Sequence, residues 1–168
     1  MEKIKILFVC LGNICRSPLA EALFKHKLKQ YRLEHFIEAD SCGTSNYHIG
    51  EPPDSRTIAN AKKNGIEIVH VGRQLTVDDL QDFDYILAMD QSNYEHILHL
   101  GRHHHPGNKV SLVRKFDNSG TAQDVPDPYY GGERGFQEVF EILDHSLEGF
   151  IKHLKQNERI KASPAPGM

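Results

Sequence analysis

The 168-residue sequence lacks the features that would assign it to several specialised classes of protein. It has three cysteines, an odd and sparse set for the disulfide framework of a small secreted domain. Its 20 Lys and Arg nearly balance 23 Asp and Glu, so nothing points to nucleic acid or an anionic membrane as a partner. No stretch approaches the roughly 20 apolar residues of a membrane span, and the N-terminal run is too short for a signal segment. We therefore expect one domain in the reducing cytoplasm. Any anionic ligand must be bound by a local site, because the overall charge of the protein does not attract anions.

Short apolar runs alternate with helical patterns along the chain. The runs predict strands at residues 4–9 and 84–89, and two further strands are predicted at residues 36–42 and 109–113. Helical spacing and capping residues predict helices at residues 18–31, 55–64, 90–99 and 133–155. This alternation predicts an α/β fold, with a doubly wound four-stranded parallel sheet and helices on both faces. Residues 1–156 are expected to form the domain, and residues 157–168 a disordered tail.

The first predicted strand runs into a loop that carries the main chemical signal. Five residues separate Cys10 from Arg16, and the next predicted helix follows at once. A loop of that size can surround phosphate or another oxyanion with its backbone N–H groups, and the helix N-terminus completes the cradle. The helix dipole, the N–H groups and the arginine all favour a thiolate. This context predicts that Cys10 is an ionised nucleophile rather than a buried strand-end cysteine.

Other residues of the loop suit the same chemistry. Arg16 carries a planar fork that can bind two phosphate oxygens together, which a lysine does less well. Gly12 allows close approach of the backbone, and Asn13 can occupy a left-handed conformation. From spacing alone, the Ser17 hydroxyl can donate to the Cys10 sulfur and stabilise it as a leaving group.

A reaction that releases an alkoxide or a phenolate also needs a general acid. The polar loop over residues 117–132 offers three aspartates, Asp117, Asp124 and Asp127. Composition does not choose among them.

The segment from Val9 to Pro18, VCLGNICRSP, resembles the signature of the low-molecular-weight protein tyrosine phosphatase family. Further segments that match this family in order are residues 40–45, 50–57, 70–76, 84–90 and 127–131. Only the tail after about residue 155 lies outside the resemblance. It implies a phosphatase that hydrolyses phosphotyrosine in protein substrates through a cysteinyl phosphate, with no metal or cofactor.

The resemblance also implies roles for individual residues. The nucleophile, the phosphate-binding arginine and the general acid of the family correspond to Cys10, Arg16 and Asp127, so the resemblance selects one of the three aspartates. Ser41 matches a residue that supports the loop, and Cys15 matches a cysteine that can form a disulfide with the nucleophile under oxidation. The expected substrate-binding residues are Leu11, Gly12, Asn13, Ile14, Cys15, Ser17, Tyr47, Tyr129 and Tyr130.

Several alternatives have their own sequence signs. Arsenate reductases that depend on thioredoxin share the fold and the loop but need two further downstream cysteines, and none follows Cys42. A phosphoarginine phosphatase of the same family would have threonine in place of Ile14, and isoleucine favours an aryl phosphate. A non-catalytic phosphotyrosine-binding module is expected to lack the nucleophile or the acid. The three histidines at residues 103–105 indicate a solvated loop rather than a metal site.

Overall fold

The computed structural model describes residues 2–117, 124–129, 131–158 and 160. These residues form four strands and five α-helices, together with two short 3₁₀ helices at Pro106–Asn108 and Val113–Phe116. In chain order the strands and α-helices are β1 Ile4–Cys10, α1 Arg16–Gln30, β2 Ile37–Gly43, α2 Ser55–Lys63, α3 Val77–Asp82, β3 Tyr85–Ala88, α4 Gln91–Leu100, β4 Val110–Leu112 and α5 Glu133–Asn157. Most of the predicted tail, residues 159 and 161–168, lies outside the described residues.

The four strands form one parallel sheet in the order β2-β1-β3-β4. The prediction of a doubly wound sheet with four strands is therefore confirmed. The chain moves from β1 to β2 on one side and later to β3 on the other, so the strand order reverses at β1. Ligands of such sheets bind at the carboxyl end of the strands beside this reversal. Cys10 is the last residue of β1 and occupies that position.

Two hydrophobic cores cover the two faces of the sheet. Ile6 and Phe8 of β1 contribute to one core, which also contains apolar residues of α1 and α5. Leu7 and Val9 contribute to the other, with residues of α3 and α4. Side chains alternate between the faces of a strand, and all four of these residues are fully buried. Burial of such side chains contributes about 1.5–3 kcal/mol each, which fixes β1 firmly beneath the loop that follows it.

Helix α3 was missed by the sequence analysis. It begins after Thr76, whose hydroxyl accepts from the Asp79 N–H while the Asp79 carboxylate accepts from the Thr76 N–H. This reciprocal capping box was visible in the sequence as threonine followed three residues later by an acid. Helix α1 differs as well, since it begins at Arg16 rather than at residue 18. In the described part of the chain, no helix has the length and hydrophobicity needed to cross a membrane.

Candidate active site

The segment between β1 and α1 folds back over the end of β2. The N–H groups of Thr44 and Ser45 donate to the carbonyl oxygens of Cys10 and Leu11, at 2.9 and 3.0 Å. A Cβ atom on Gly43 would lie 2.7 Å from the Leu11 carbonyl oxygen. Because real Cβ atoms do not approach a carbonyl so closely, only glycine permits this contact. The loop is thus held against the sheet by its own backbone.

Hydrogen-bond donors surround the sulfur of Cys10, which is 3% exposed. The Ser17 Oγ lies 3.0 Å from Sγ, and the Asn13 N–H donates to Sγ at 3.3 Å. Ser17 stands in the first turn of α1, so the positive end of that helix also faces the loop. All three features stabilise negative charge on the sulfur. The Ser17 contact is the one expected from its spacing.

Asn13 has a left-handed backbone, with φ of 58°, the conformation expected from the sequence. Its side chain is buried, and Nδ2 donates to Ser17 Oγ at 2.8 Å and to Ser41 Oγ at 3.1 Å. Its Oδ1 accepts from the Arg73 N–H at 3.1 Å and lies 2.7 Å from His70 Nε2. A left-handed residue other than glycine costs about 1–3 kcal/mol. Here four side-chain contacts offset that strain.

A buried carboxylate completes this support of the loop. Ser41 Oγ donates to Glu21 Oε1 at 2.7 Å, and His70 Nδ1 lies 3.1 Å from the same oxygen. Burial opposes ionisation of Glu21, but hydrogen bonds from His70, Lys25 and Ser41 outweigh it and lower the pKa of Glu21. The carboxylate therefore stays ionised and anchors Ser41 and His70, two of the four residues that hold the Asn13 side chain.

The same region contains a cluster of acidic and histidine side chains. Among the described residues, it is the group whose ligand atoms are close enough together to hold a metal ion. Glu21, Asp40 and His70 offer ligand atoms within 4.8 Å of one another. These atoms already have protein partners: Arg73 Nε donates to Asp40 Oδ2 at 3.0 Å, and the Ser41 N–H donates to Asp40 Oδ1 at 2.8 Å. The cluster is thus satisfied as a hydrogen-bond network. The histidines at residues 103–105 are exposed, as the sequence indicated.

Arg16 is almost fully buried and binds two other segments, the one that follows β3 and the one over residues 124–129. Its Nη1 donates to Asp90 Oδ2 at 2.8 Å and to the Val125 carbonyl oxygen at 2.9 Å. Burial opposes its charge, but Cys10, Asp90 and Asp127 outweigh burial and raise the pKa of Arg16. Asp90 also caps α4, because its Oδ1 accepts from the Asn93 N–H at 2.8 Å. The sequence analysis gave Asp90 no catalytic part, and the structure shows it orienting the arginine.

The three candidate acids have different surroundings. Asp117 accepts from Arg114 at 3.0 and 3.2 Å, and Asp124 Oδ1 accepts from the Gln91 N–H at 2.9 Å. Asp127 instead has a half-exposed side chain, with Oδ2 3.7 Å from Arg16 Nη2. Its Oδ1 accepts from the Tyr129 N–H at 3.1 Å. The geometry therefore favours Asp127, because its carboxylate lies beside Arg16.

Three of the residues expected to bind an aromatic group have exposed side chains. Leu11 is 42% exposed, Tyr47 is 72% exposed and Tyr129 is 40% exposed. The predicted rim residue Tyr130 lies outside the described residues. The structure adds His48, because a Cβ on Gly12 would lie 3.0 Å from His48 Cδ2. His48 therefore packs against the loop and pairs with Glu51; it was missed because nothing in the sequence signals this contact.

Cys15 is a buried free thiol, as Cys10 is. Burial raises the pKa of Cys15 to about 12, and the negative charge of Asp54 adds to the effect. A neutral thiol is a poor nucleophile. Cys15 is thus unsuited to attack phosphorus, and the disulfide with Cys10 expected from the resemblance remains a prediction.

Comparisons with known proteins agree over almost the whole chain. A family model described as low molecular weight phosphotyrosine protein phosphatase matches residues 5–160. The Schizosaccharomyces pombe protein of that name is 44% identical over 156 residues, which cover 91% of this chain and 98% of the relative. The Homo sapiens protein of that name is 40% identical over 148 residues, covering 88% of this chain and 93% of the relative.

Solved structures give the same result. A protein tyrosine phosphatase from Entamoeba histolytica, crystallised with Hepes in its active site, superposes with a TM-score of 0.89 and 39% identity. The superposition covers 93% of this chain and 99% of that one. A Drosophila arginine phosphatase superposes with a TM-score of 0.86 and 34% identity, covering 92% and 99% of the two chains.

Proposed function

Because this chain belongs to the low molecular weight phosphotyrosine protein phosphatase family and is a hydrolase of phosphotyrosine, we propose that Cys10, Arg16 and Asp127 carry out its reaction. The observation that carries the proposal is the convergence of the Ser17 hydroxyl, the Asn13 N–H and the α1 N-terminus on the Cys10 sulfur. This convergence supports a thiolate that is ready to attack phosphorus. One catalytic domain over residues 1–156 holds all of these groups.

In the first step the Cys10 thiolate attacks phosphorus in line with the departing tyrosine oxygen. The S–P bond forms, the P–O bond breaks, and Asp127 transfers its proton to the phenolate. The loop N–H groups hold the phosphoryl oxygens. Asp90 and the Val125 carbonyl hold Nη1 of Arg16, which leaves the rest of the guanidinium to follow the oxygens into the transition state.

In the second step a water molecule attacks the phosphorus of the cysteinyl phosphate. Asp127, now a carboxylate, accepts a proton from this water, and the S–P bond breaks to release phosphate and the Cys10 thiolate. The Ser17 hydroxyl, 3.0 Å from Sγ, stabilises the departing sulfur. The cycle restores every group to its starting state, so the mechanism needs no cofactor.

The substrate assignment depends on the walls of the cleft. Leu11, Tyr47 and Tyr129 are exposed, and we assign them to its rim, where they can pack against a phenyl ring; Tyr130 is a further expected residue of this rim. Ile14 offers no hydroxyl to a guanidinium phosphate, which supports an aryl ester over phosphoarginine. The free thiols support activity in a reducing cytoplasm.

The test compares wild type with Cys10→Ser and Asp127→Ala under reducing conditions. We expect Cys10→Ser to abolish hydrolysis of a phosphotyrosine peptide while it still binds inorganic phosphate in calorimetry, because the cradle is intact. We expect Asp127→Ala to lose about 100-fold or more in kcat/KM on poor leaving groups. Unchanged turnover in Cys10→Ser would refute the mechanism. Faster hydrolysis of a phosphoarginine peptide than of its phosphotyrosine counterpart would refute the substrate.

A further inference from the structure

Arg56 lies in the first turn of α2, outside the phosphate loop, yet it contacts the segment that carries Asp127. Its Cζ lies 5.2 Å from the centroid of the Tyr129 ring and 4.9 Å from that of Phe136. The Tyr129 N–H donates to Asp127 Oδ1 at 3.1 Å. Phe136 belongs to α5, which follows the same segment. The Arg56 guanidinium therefore contacts one aromatic ring before α5, Tyr129, and one within α5, Phe136.

The other side of Arg56 is tied to the phosphate loop. Its Nε and Nη2 donate to the two carboxylate oxygens of Asp54, at 3.1 and 2.9 Å. The Asp54 N–H in turn donates to the Ile14 carbonyl oxygen at 2.8 Å. A bidentate pair fixes the plane of the guanidinium as well as its position. The guanidinium plane that faces Tyr129 is thus fixed by Asp54, which is itself bound to the loop of Cys10.

Asp127 needs such support, because its own contact with the site is weak. Its Oδ2 lies 3.7 Å from Arg16 Nη2, which is beyond hydrogen-bond distance, and half of its side chain is exposed. A general acid must approach the leaving oxygen within hydrogen-bond reach. A small displacement of a catalytic group costs much of its effect.

From this continuous set of contacts we propose that Arg56 is a positioning residue, which holds the Asp127 carboxylate at the leaving-group side of the phosphate loop by fixing the Tyr129 ring. The proposal rests on the assignment of Asp127 as general acid. Arg56 touches no reacting atom. Its attraction to the Tyr129 ring restrains the segment that carries Asp127. Its ion pair with Asp54 links that segment to the loop of Cys10.

This role predicts an effect that depends on the leaving group. A nitrophenolate departs with little help from an acid, whereas an unactivated phenolate needs the proton. Loss of Arg56 should therefore lower kcat/KM more for phenyl phosphate than for 4-nitrophenyl phosphate. A residue that only stabilised the fold would lower both equally.

The experiment measures kcat/KM for Arg56→Met, Arg56→Lys and wild type over a series of aryl phosphates with increasingly basic leaving groups. Methionine keeps an apolar stem but loses the charge, and we expect about a fivefold loss on phenyl phosphate with a smaller loss on 4-nitrophenyl phosphate. Lysine keeps a cation over the ring and should restore most of the loss. Lys63→Met is the matched control, since Lys63 is a cation of the same helix that pairs with Glu133, and it should match wild type throughout.

A second arm uses the Asp127→Ala background. In that background Arg56→Met should not make kcat/KM depend more steeply on the leaving group. Both substitutions affect the same proton transfer, from Asp127 to the leaving oxygen. An equal loss across the series, or a further steepening in that background, would overturn the inference. If Asp127→Ala itself showed no dependence on the leaving group, the assignment of the acid would fail instead, and Arg56 would lose its proposed role with it. Thermal unfolding of each variant checks that the fold persists.

Discussion

The nucleophile and the general acid stand in regions that are built in opposite ways. In the loop of Cys10, the nucleophile and the left-handed residue Asn13 are buried, and Asn13 makes four side-chain contacts. The segment of Asp127 is fastened at Val125, whose carbonyl accepts from Arg16, and beyond that point its side chains are largely exposed. A cradle must keep its shape through both steps, whereas the acid must give up a proton, receive another and let the product leave. Rigid support in one region and sparse support in the other suit these two tasks.

The largest effect is expected from the residue that the two regions share. Arg16→Lys keeps the charge but loses the fork that spans Asp90, Val125 and the substrate. We expect kcat on a phosphotyrosine peptide to fall about 100-fold or more, since a single lost donor to developing negative charge costs that much. Steady-state kinetics measure it, with Arg102→Lys on an exposed turn as the control. A loss below fivefold would show that charge alone suffices.

A pair of alanine variants would sharpen the contrast in stability. Asn13→Ala leaves a left-handed alanine and unpaired partners, so we expect the free energy of unfolding to fall by about 2–3 kcal/mol. Asp127→Ala removes a half-exposed side chain and should change that free energy by less than about 0.5 kcal/mol. Urea unfolding of both variants measures the difference. Asn13→Gly should recover part of the loss, because glycine accepts the backbone but not the side-chain contacts.

The smallest effect is a pH dependence confined to the rigid region. The pKa of Glu21 is lowered because its hydrogen bonds outweigh burial, so it stabilises the fold above its unfolded value of about 4.3. This contribution is lost as the pH falls through the lower folded value. The difference in unfolding free energy between wild type and Glu21→Gln should thus be largest above about pH 5 and shrink towards acid pH.

Urea unfolding over a pH series tests this prediction. Glu38→Gln, on the exposed side of β2, serves as the control and should show no comparable trend. A difference for Glu21→Gln that stayed constant down to acid pH would contradict the role assigned to its carboxylate.

The sequence predicted features that are local along the chain. The loop from Cys10 to Ser17 was predicted from the strand before it and the helix after it, and the left-handed Asn13 from its residue type. The centre of the sheet was predictable too, because β1 and β3 lie in short apolar runs. The choice of Asp127 among three aspartates came from resemblance, since no local rule separates them.

Contacts between distant segments were not predictable in this way. The pair of Arg16 with Asp90 and the packing of His48 against Gly12 exist because the fold brings separate loops to one edge of the sheet. Neither residue type nor spacing encodes them. Helix α3 is the exception among the missed features, because its capping box was present in the sequence and was overlooked.

The bond from Arg16 to the Val125 carbonyl limits how this enzyme can be redesigned. The Arg16 side chain both binds the phosphoryl group and holds the segment that carries Asp127. A substitution at Arg16 that changes one of these roles therefore disturbs the other. A library meant to widen the range of leaving groups should therefore keep Arg16 fixed. It should vary the outer contacts of the Asp127 segment, where changes leave the cradle untouched.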